Sequence, residues 1–130
     1  SRLLEAASRA ADIFLQRGMV RRLHGGDIIN PGFLSLHYPF YWWYTVLSGL
    51  KAIMEAGMIR DPRCNEALDW LESRHLAGGG FPADTKFYRV TESPEISGGS
   101  LAGWGKANGK DMNEFVTSEA LAVLHAAGRV

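Results

Sequence analysis

Apolar side chains recur every three or four residues in four segments of the chain, which predicts four helices. The first is predicted at Arg2–Arg17 and the last at Asn113–Ala127. Between them, one helix is predicted at Pro39–Ala56 and another from Asp61 toward His75. Proline at the first helical position and glycine after the last one support these limits. The pattern therefore predicts an all-α chain.

The connections between these helices alternate between short and long. Met58–Arg60 allows only a tight turn, whereas long segments follow the first and third helices. The long, Gly-rich segment Ala77–Met112 contains one strand-like run, Lys86–Glu92, which predicts a short hairpin arm. Loops this long are uncommon unless they are functional, so we expect part of the function here.

Two parts of the chain can be overlaid on one another. Ala11–Leu15 matches Ala67–Leu71 at an offset of 56 residues, and Gly49–Gly57 matches Ala120–Gly128 at an offset of 71. The chain is thus predicted to be a single fragment of two helix–loop–helix units, about residues 1–57 and 61–128. Arrays of such units normally need three or more copies, because each buries its apolar face against its neighbours. Exposed helix faces are therefore expected to contact the remainder of the same protein or another copy.

Composition excludes several classes of function. Lys and Arg number 14 and are balanced by 14 Asp and Glu, so there is no basic surplus for binding nucleic acid. The longest apolar stretch, Phe40–Leu50, is far shorter than the roughly 20 residues of a membrane span. The single cysteine, Cys64, excludes an internal disulfide and favours a cytoplasmic location. These features indicate an ordinary water-soluble domain.

The segment Ala67–Phe81 contains the sequence WLESRHLAGGGF, which resembles the repeat of squalene and hopene cyclases and of protein prenyltransferases. In that repeat an aromatic-Leu pair precedes a Gln and then an Asp-Gly-Gly-Trp turn. His75, Gly78 and Phe81 stand here at the Gln, Asp and Trp positions. The stretches HYPFYW and NEFVT are similar to the C-terminal part of uncharacterised bacterial proteins with these repeats. This resemblance covers the chain from about Leu34 onward.

The resemblance implies two consecutive helical hairpins of an α/α toroid, in which inner helices line a central cavity. It also implies that the chain is the C-terminal portion of a larger protein, and that a hydrophobic, isoprenoid-like molecule lies against an aromatic wall. The alternative for the aromatic run is an inner helix packed on both sides, and the alternative for the chain is a non-catalytic interaction scaffold. The candidate wall residues are His37, Tyr38, Tyr41, Trp42, Trp104 and Glu114.

No catalytic set can be assigned from the sequence. The Asp-x-Asp-Asp acid motif of the cyclases is absent. A zinc set could come only from Asp61 and Cys64 with His75 or His125, at a spacing that differs from the Asp-x-Cys of the prenyltransferases. Asp61 is instead interpreted as a helix cap, and Cys64 as a small buried apolar residue. Neither a metal nor another cofactor is predicted.

Two further groups of residues have both a chemical and an ordinary interpretation. His37 beside Tyr38 could form an acid–base pair, but we interpret it as a capping or hydrogen-bonding residue before a helix. Glu92 and Glu95 could act as the carboxylate pair of an α/α-barrel glycosidase, which makes a carbohydrate-active enzyme a distant alternative. In a loop rich in Ser, Pro and Gly, we interpret them as solvated side chains.

Overall fold

The computed structural model describes residues 1–41 and 43–130, and helical segments account for 41% of the chain. The described part contains four α-helices, which confirms the all-α prediction at the level of fold class. These are α1 (Arg2–Gln16), α2 (Val46–Glu55), α3 (Asn65–Ser73) and α4 (Glu114–Ala126). Two short 3₁₀ helices, Pro31–Phe33 and Pro62–Cys64, precede α2 and α3.

Helix α1 buries only its C-terminal half. Ala11 and Leu15 are buried in the core, whereas all of residues 1–10 are exposed, and the exposed fractions of Leu3 and Leu4 are 82% and 72%. The helix ends at Gln16, one residue before the predicted limit. The prediction of an amphipathic first helix is therefore confirmed, and part of its apolar face has no covering element in the described structure.

Helix α2 begins at Val46 rather than at Pro39, so the described residues of segment 39–44 are not helical. The Ser48 hydroxyl accepts a hydrogen bond from the Thr45 N–H at 3.0 Å and donates one to the Thr45 carbonyl at 2.8 Å. The Thr45 hydroxyl itself has no partner, so only the Ser48 half of a capping box is formed. The prediction that the consecutive aromatic residues lie on a helix is wrong, because this cap starts the helix after them.

Helix α3 is preceded by a capped 3₁₀ turn. The Asp61 carboxylate accepts a hydrogen bond from the Arg63 N–H at 2.9 Å and caps the 3₁₀ helix Pro62–Cys64. Cys64 is fully buried. The interpretations of Asp61 as a cap and of Cys64 as a buried apolar residue are both confirmed. Helix α3 ends at Ser73, before the predicted limit at His75.

The predicted hairpin arm is wrong. Two strands of two residues each, β1 (Arg89–Val90) and β2 (Gly99–Ser100), pair in the parallel direction. The N–H of Thr91 donates to the Ser100 carbonyl at 2.9 Å, next to this pairing. The connection between the strands returns the chain to the start of β1, so the second strand runs in the same direction as the first instead of reversing as in a hairpin.

Helix α2 lies at the centre of the core and contacts the other three helices. Its buried residues Leu47, Leu50 and Ile53 pack with residues of α1, α3 and α4, and Leu36 and Phe81 from the connections complete the same core. Within the described residues, none of the helices combines the length and apolar character needed to cross a bilayer.

Candidate functional site

Two of the predicted wall residues, Tyr38 and Trp104, lie together, with ring centroids 5.5 Å apart. Phe115 of α4 stacks on Tyr38 at 5.2 Å and meets Trp104 edge-on at 5.2 Å. Phe40 packs edge-on against Tyr38 at 5.5 Å. These four rings come from three separate parts of the chain. Tyr38, Phe40, Trp104 and Phe115 are called the aromatic cluster below.

Asn113 holds the Trp104 backbone against the start of α4. Its side chain is buried, and its amide nitrogen donates to the carbonyls of Trp104 and Lys106, both at 2.8 Å. Its amide oxygen accepts hydrogen bonds from two N–H groups in the first turn of α4, both at 3.0 Å. The Trp104 N–H donates to the Tyr88 hydroxyl at 2.7 Å. The loop that carries Trp104 is therefore fixed by two side chains.

An ion pair borders the aromatic cluster. Lys51 of α2 binds Glu119 of α4 at 2.5 Å, and the Lys51 ammonium lies 5.6 Å from the centroid of the Phe40 ring. Glu119 follows Phe115 by one helical turn, so both side chains lie on the same face of α4. Because the two charges pair with one another, this edge presents no net charge to the cluster.

Buried polar atoms without partners occur at the cluster and beside it. Trp104 Nε1 is buried and has no hydrogen-bond partner in the described structure. His37 is 1% exposed, and neither of its ring nitrogens has a partner there. The rings of Phe40 and Phe87 meet its imidazole edge-on, at 6.2 and 4.9 Å. Buried polar atoms without a hydrogen-bond partner are rare in native structures, so Trp104 and His37 are exceptional positions.

The surroundings of His37 determine its charge. Burial among apolar rings lowers the pKa of His37, and the nearby backbone of Trp43, which does not meet hydrogen-bond geometry, opposes this shift only in part. The imidazole is therefore neutral at pH 7. The interpretation of His37 as a helix cap is wrong, because within the described residues no helix begins next to it and aromatic rings surround it instead.

Two other predicted wall residues, Tyr41 and Glu114, do not join the cluster. Tyr41 is 71% exposed, and Glu114 is exposed at the first position of α4. Trp42 lies outside the described residues. Glu92 and Glu95 are both exposed, which agrees with their interpretation as solvated side chains. Of the five predicted wall residues that the structure describes, it thus brings two together, with His37 next to them through Phe40.

The glycine turn that carries the family resemblance is attached to α4. Leu76 N–H donates to the Gly80 carbonyl at 2.9 Å and closes the turn. The Thr117 hydroxyl accepts from the Phe81 N–H at 2.9 Å and donates to the Phe81 carbonyl at 3.2 Å. His75, at the position of the family's Gln, meets the Phe81 ring edge-on at 5.4 Å. An aromatic contact and a threonine therefore stabilise this turn.

Four residues of the aromatic cluster and its neighbouring ion pair are not among the predicted wall residues: Phe40, Phe115, Lys51 and Glu119. Phe115 and Glu119 are four residues apart on a predicted helix, and this spacing could have identified their common face. Lys51 gives no such signal, because its partner is 68 residues away.

No group of three or more His, Cys, Asp or Glu side chains in the described part of the chain is arranged to hold a metal ion. Comparison of the chain with protein-family models, with curated proteins and with solved structures finds no match in any of the three. The geometry of the aromatic cluster is therefore the basis on which a function can be assigned.

Proposed function

We propose that the chain is part of an α/α-toroid repeat protein of the squalene-cyclase and prenyltransferase type, and that its aromatic cluster is a wall for a hydrophobic, isoprenoid-like ligand. The observation that carries this proposal is the contact among the partly exposed rings of Tyr38, Trp104 and Phe115. Aromatic rings provide a large apolar contact for such a ligand.

Matching burial in α1 and α3 supports the repeat. Ala11 and Ala67 are buried at corresponding positions, and so are Leu15 and Leu71, at the offset of 56 residues. Two helices that bury the same positions of a shared motif pack in the same way. This agreement supports two units related by a repeat.

The ends of α2 and α4 also match at the second offset. Gly57 and Gly128 follow these helices with φ of 74° and 76°, a conformation that favours glycine. After each glycine, the N–H of the next residue donates to the carbonyl five positions earlier, at 3.0 and 2.8 Å. The same C-terminal motif thus ends the second helix of each unit.

The position of the cluster agrees with one wall of a larger cavity. All four rings of the cluster are only partly buried. A ligand at the cluster would therefore lie on its outer face. In a toroid, further helical hairpins would close the remaining sides of this space.

Fluorescence titration tests the ligand proposal. Farnesol and geranylgeraniol should change the tryptophan fluorescence of the chain in a saturable manner, and Trp104→Phe should remove most of this change. Tyr38→Leu should weaken binding, because it removes the ring stacked on Phe115. Tyr41→Leu is the matched control, since Tyr41 is exposed in the same segment, and it should bind normally. The absence of any change at saturating ligand would contradict the proposal.

The exposed half of α1 favours a second candidate function, a non-catalytic interaction scaffold. Leu3 and Leu4 lie on the same apolar stripe as the buried Ala11 and Leu15, yet they are almost fully exposed. A partner or a second copy could cover them. Light scattering should then show self-association that Leu4→Glu reduces, and a strict monomer would exclude the second copy as the partner.

A further inference from the structure

A surface cavity of about 200 Å³ lies between the segment after α1, the start of α2 and α3. Its walls belong to the core, since Val46 and Ala67 are 0% and 4% exposed. Gly18, Arg21 and Glu66 complete the lining, and none of its residues belongs to the aromatic cluster. The apolar lining residues are Val20, Ile28, Leu34, Val46, Ala67 and Trp70.

The two charged residues of this lining neutralise one another. Arg21 Nε donates to Glu66 Oε2 at 3.1 Å, and Arg21 Nη2 donates to Glu66 Oε1. The third guanidinium nitrogen, Nη1, donates to the Gly26 carbonyl at 2.8 Å. The Arg21 guanidinium also lowers the pKa of Glu66, so both groups are ionised at neutral pH. An occupant of the cavity therefore meets no uncompensated charge.

The size and chemistry of the cavity restrict its occupant. The inner wall of the cavity is apolar and cannot satisfy the hydrogen bonds of water, while its mouth opens to solvent beside Arg21 and Glu66, whose side chains are 39% and 63% exposed. An apolar cavity of about 150 Å³ is known to bind benzene. The present volume, about 200 Å³, is below the range of about 300–1,000 Å³ typical of drug-sized ligands. Trp70 adds an aromatic wall, and the Arg74 guanidinium lies 5.6 Å from its ring. Aromatic rings pack favourably on such a wall in offset or edge-on arrangements.

We propose that this cavity binds a small uncharged aromatic molecule of one ring or two fused rings. Burial of apolar surface and contact with Trp70 provide the affinity. Carboxylate or ammonium analogues of the same ring bind more weakly, because Arg21 and Glu66 already compensate one another and burial of a charge is costly. The site is independent of the ligand proposed for the aromatic cluster.

Calorimetric titration with benzene and with indole tests this proposal. Ala67→Leu places three additional carbon atoms in the cavity and should weaken indole binding by about tenfold or more, with little loss of thermal stability. Ala122→Leu is the matched control, because it makes the same change at an exposed position of α4, and it should leave the affinity unchanged.

The outcomes are distinct. Failure of both probes to bind the wild-type chain, or equal affinity of Ala67→Leu and the wild type, would overturn the proposal. If Ala67→Leu does not fold, methyl resonances of the wild-type chain decide. Indole-induced shifts at Val20 and Ile28 support the site, and shifts confined to methyl groups outside the lining overturn it.

Discussion

Substitution of Asn113 tests whether the loop that carries Trp104 is fixed to α4. Asn113 is 2% exposed, and its side chain accepts hydrogen bonds from the N–H groups of Phe115 and Val116 and donates to the carbonyls of Trp104 and Lys106. Asn113→Ala removes all of these hydrogen bonds. Asn113→Asp keeps the acceptor at the helix start but replaces the donor by a second oxygen, which faces the two carbonyls.

The magnitudes follow from these hydrogen bonds. Loss of an N-cap costs about 1 kcal/mol, and each carbonyl left without its donor costs about 1 kcal/mol or more. Asn113→Ala should therefore lower the free energy of unfolding by about 3 kcal/mol. Asn113→Asp should lower it by at least about 2 kcal/mol, because the hydrogen bonds to the carbonyls are lost and a carboxylate oxygen faces them instead. Both variants should still fold, because domains of this size have about 5–15 kcal/mol of stability.

Urea denaturation followed by circular dichroism measures these differences. Asn30→Ala is the matched control, because Asn30 caps a 3₁₀ helix through one hydrogen bond from the Gly32 N–H at 2.8 Å. It should cost about 1 kcal/mol. If Asn113→Asp is as stable as the wild type, or Asn113→Ala costs no more than Asn30→Ala, then Asn113 does not fix the Trp104 loop and the reasoning is refuted.

Three further substitutions give equally specific expectations. Gly49→Ala should lower the melting temperature, because the new methyl carbon would lie 3.0 Å from Cζ of Tyr44. This contact outweighs the helix preference of alanine over glycine, which is about 1 kcal/mol. A higher melting temperature would show that the Tyr44 ring moves away at no cost. The free energy of unfolding should decrease as the pH falls below 6.5, since the unfolded chain takes up a proton at His37 that the folded chain, with its lowered His37 pKa, resists. His37→Phe should remove this part of the pH dependence, which urea denaturation at several pH values measures. A variant whose free energy of unfolding depends on pH as strongly as that of the wild type would contradict the reasoning. Thr117→Val should lower the free energy of unfolding by about 2 kcal/mol in urea denaturation, because two hydrogen bonds to Phe81 are lost. Thr117→Ser keeps the hydroxyl and should cost less than half as much. Equal costs would show that side-chain packing, and not these hydrogen bonds, explains the loss of stability.

The helix predictions succeeded where the signals are local. The apolar positions of α1 and α4 and the glycine that follows each helix are local signals, and the limits predicted from them agree with the structure to within one residue. The start of α2 could not be predicted in this way. Pro39 gives a strong signal for a helix start. The helix instead starts where hydrogen bonds join Thr45 to Ser48, and the aromatic residues before Thr45 pack on other rings.

The aromatic cluster was predicted only in part, for a related physical reason. Tyr38 and Trp104 were identified through the family resemblance, and the structure brings them into contact. Phe115 lies one position away from the buried Val116, so the apolar periodicity of α4 does not distinguish it. Contacts between residues far apart in the chain, such as the Lys51–Glu119 ion pair and the parallel pairing of β1 with β2, have no local signal in a single sequence.

The indole N–H resonance of Trp104 provides the most direct test of the aromatic wall. In the free chain this group is buried without a partner, and Trp104→Phe identifies its signal in a heteronuclear NMR spectrum. We predict that farnesol or geranylgeraniol shifts this resonance in a saturable manner, together with ring signals of Tyr38 and Phe115. A Trp104 resonance that does not move while the ligand is bound, or that moves less than the other tryptophan signals, would contradict the assignment of this cluster as the ligand wall.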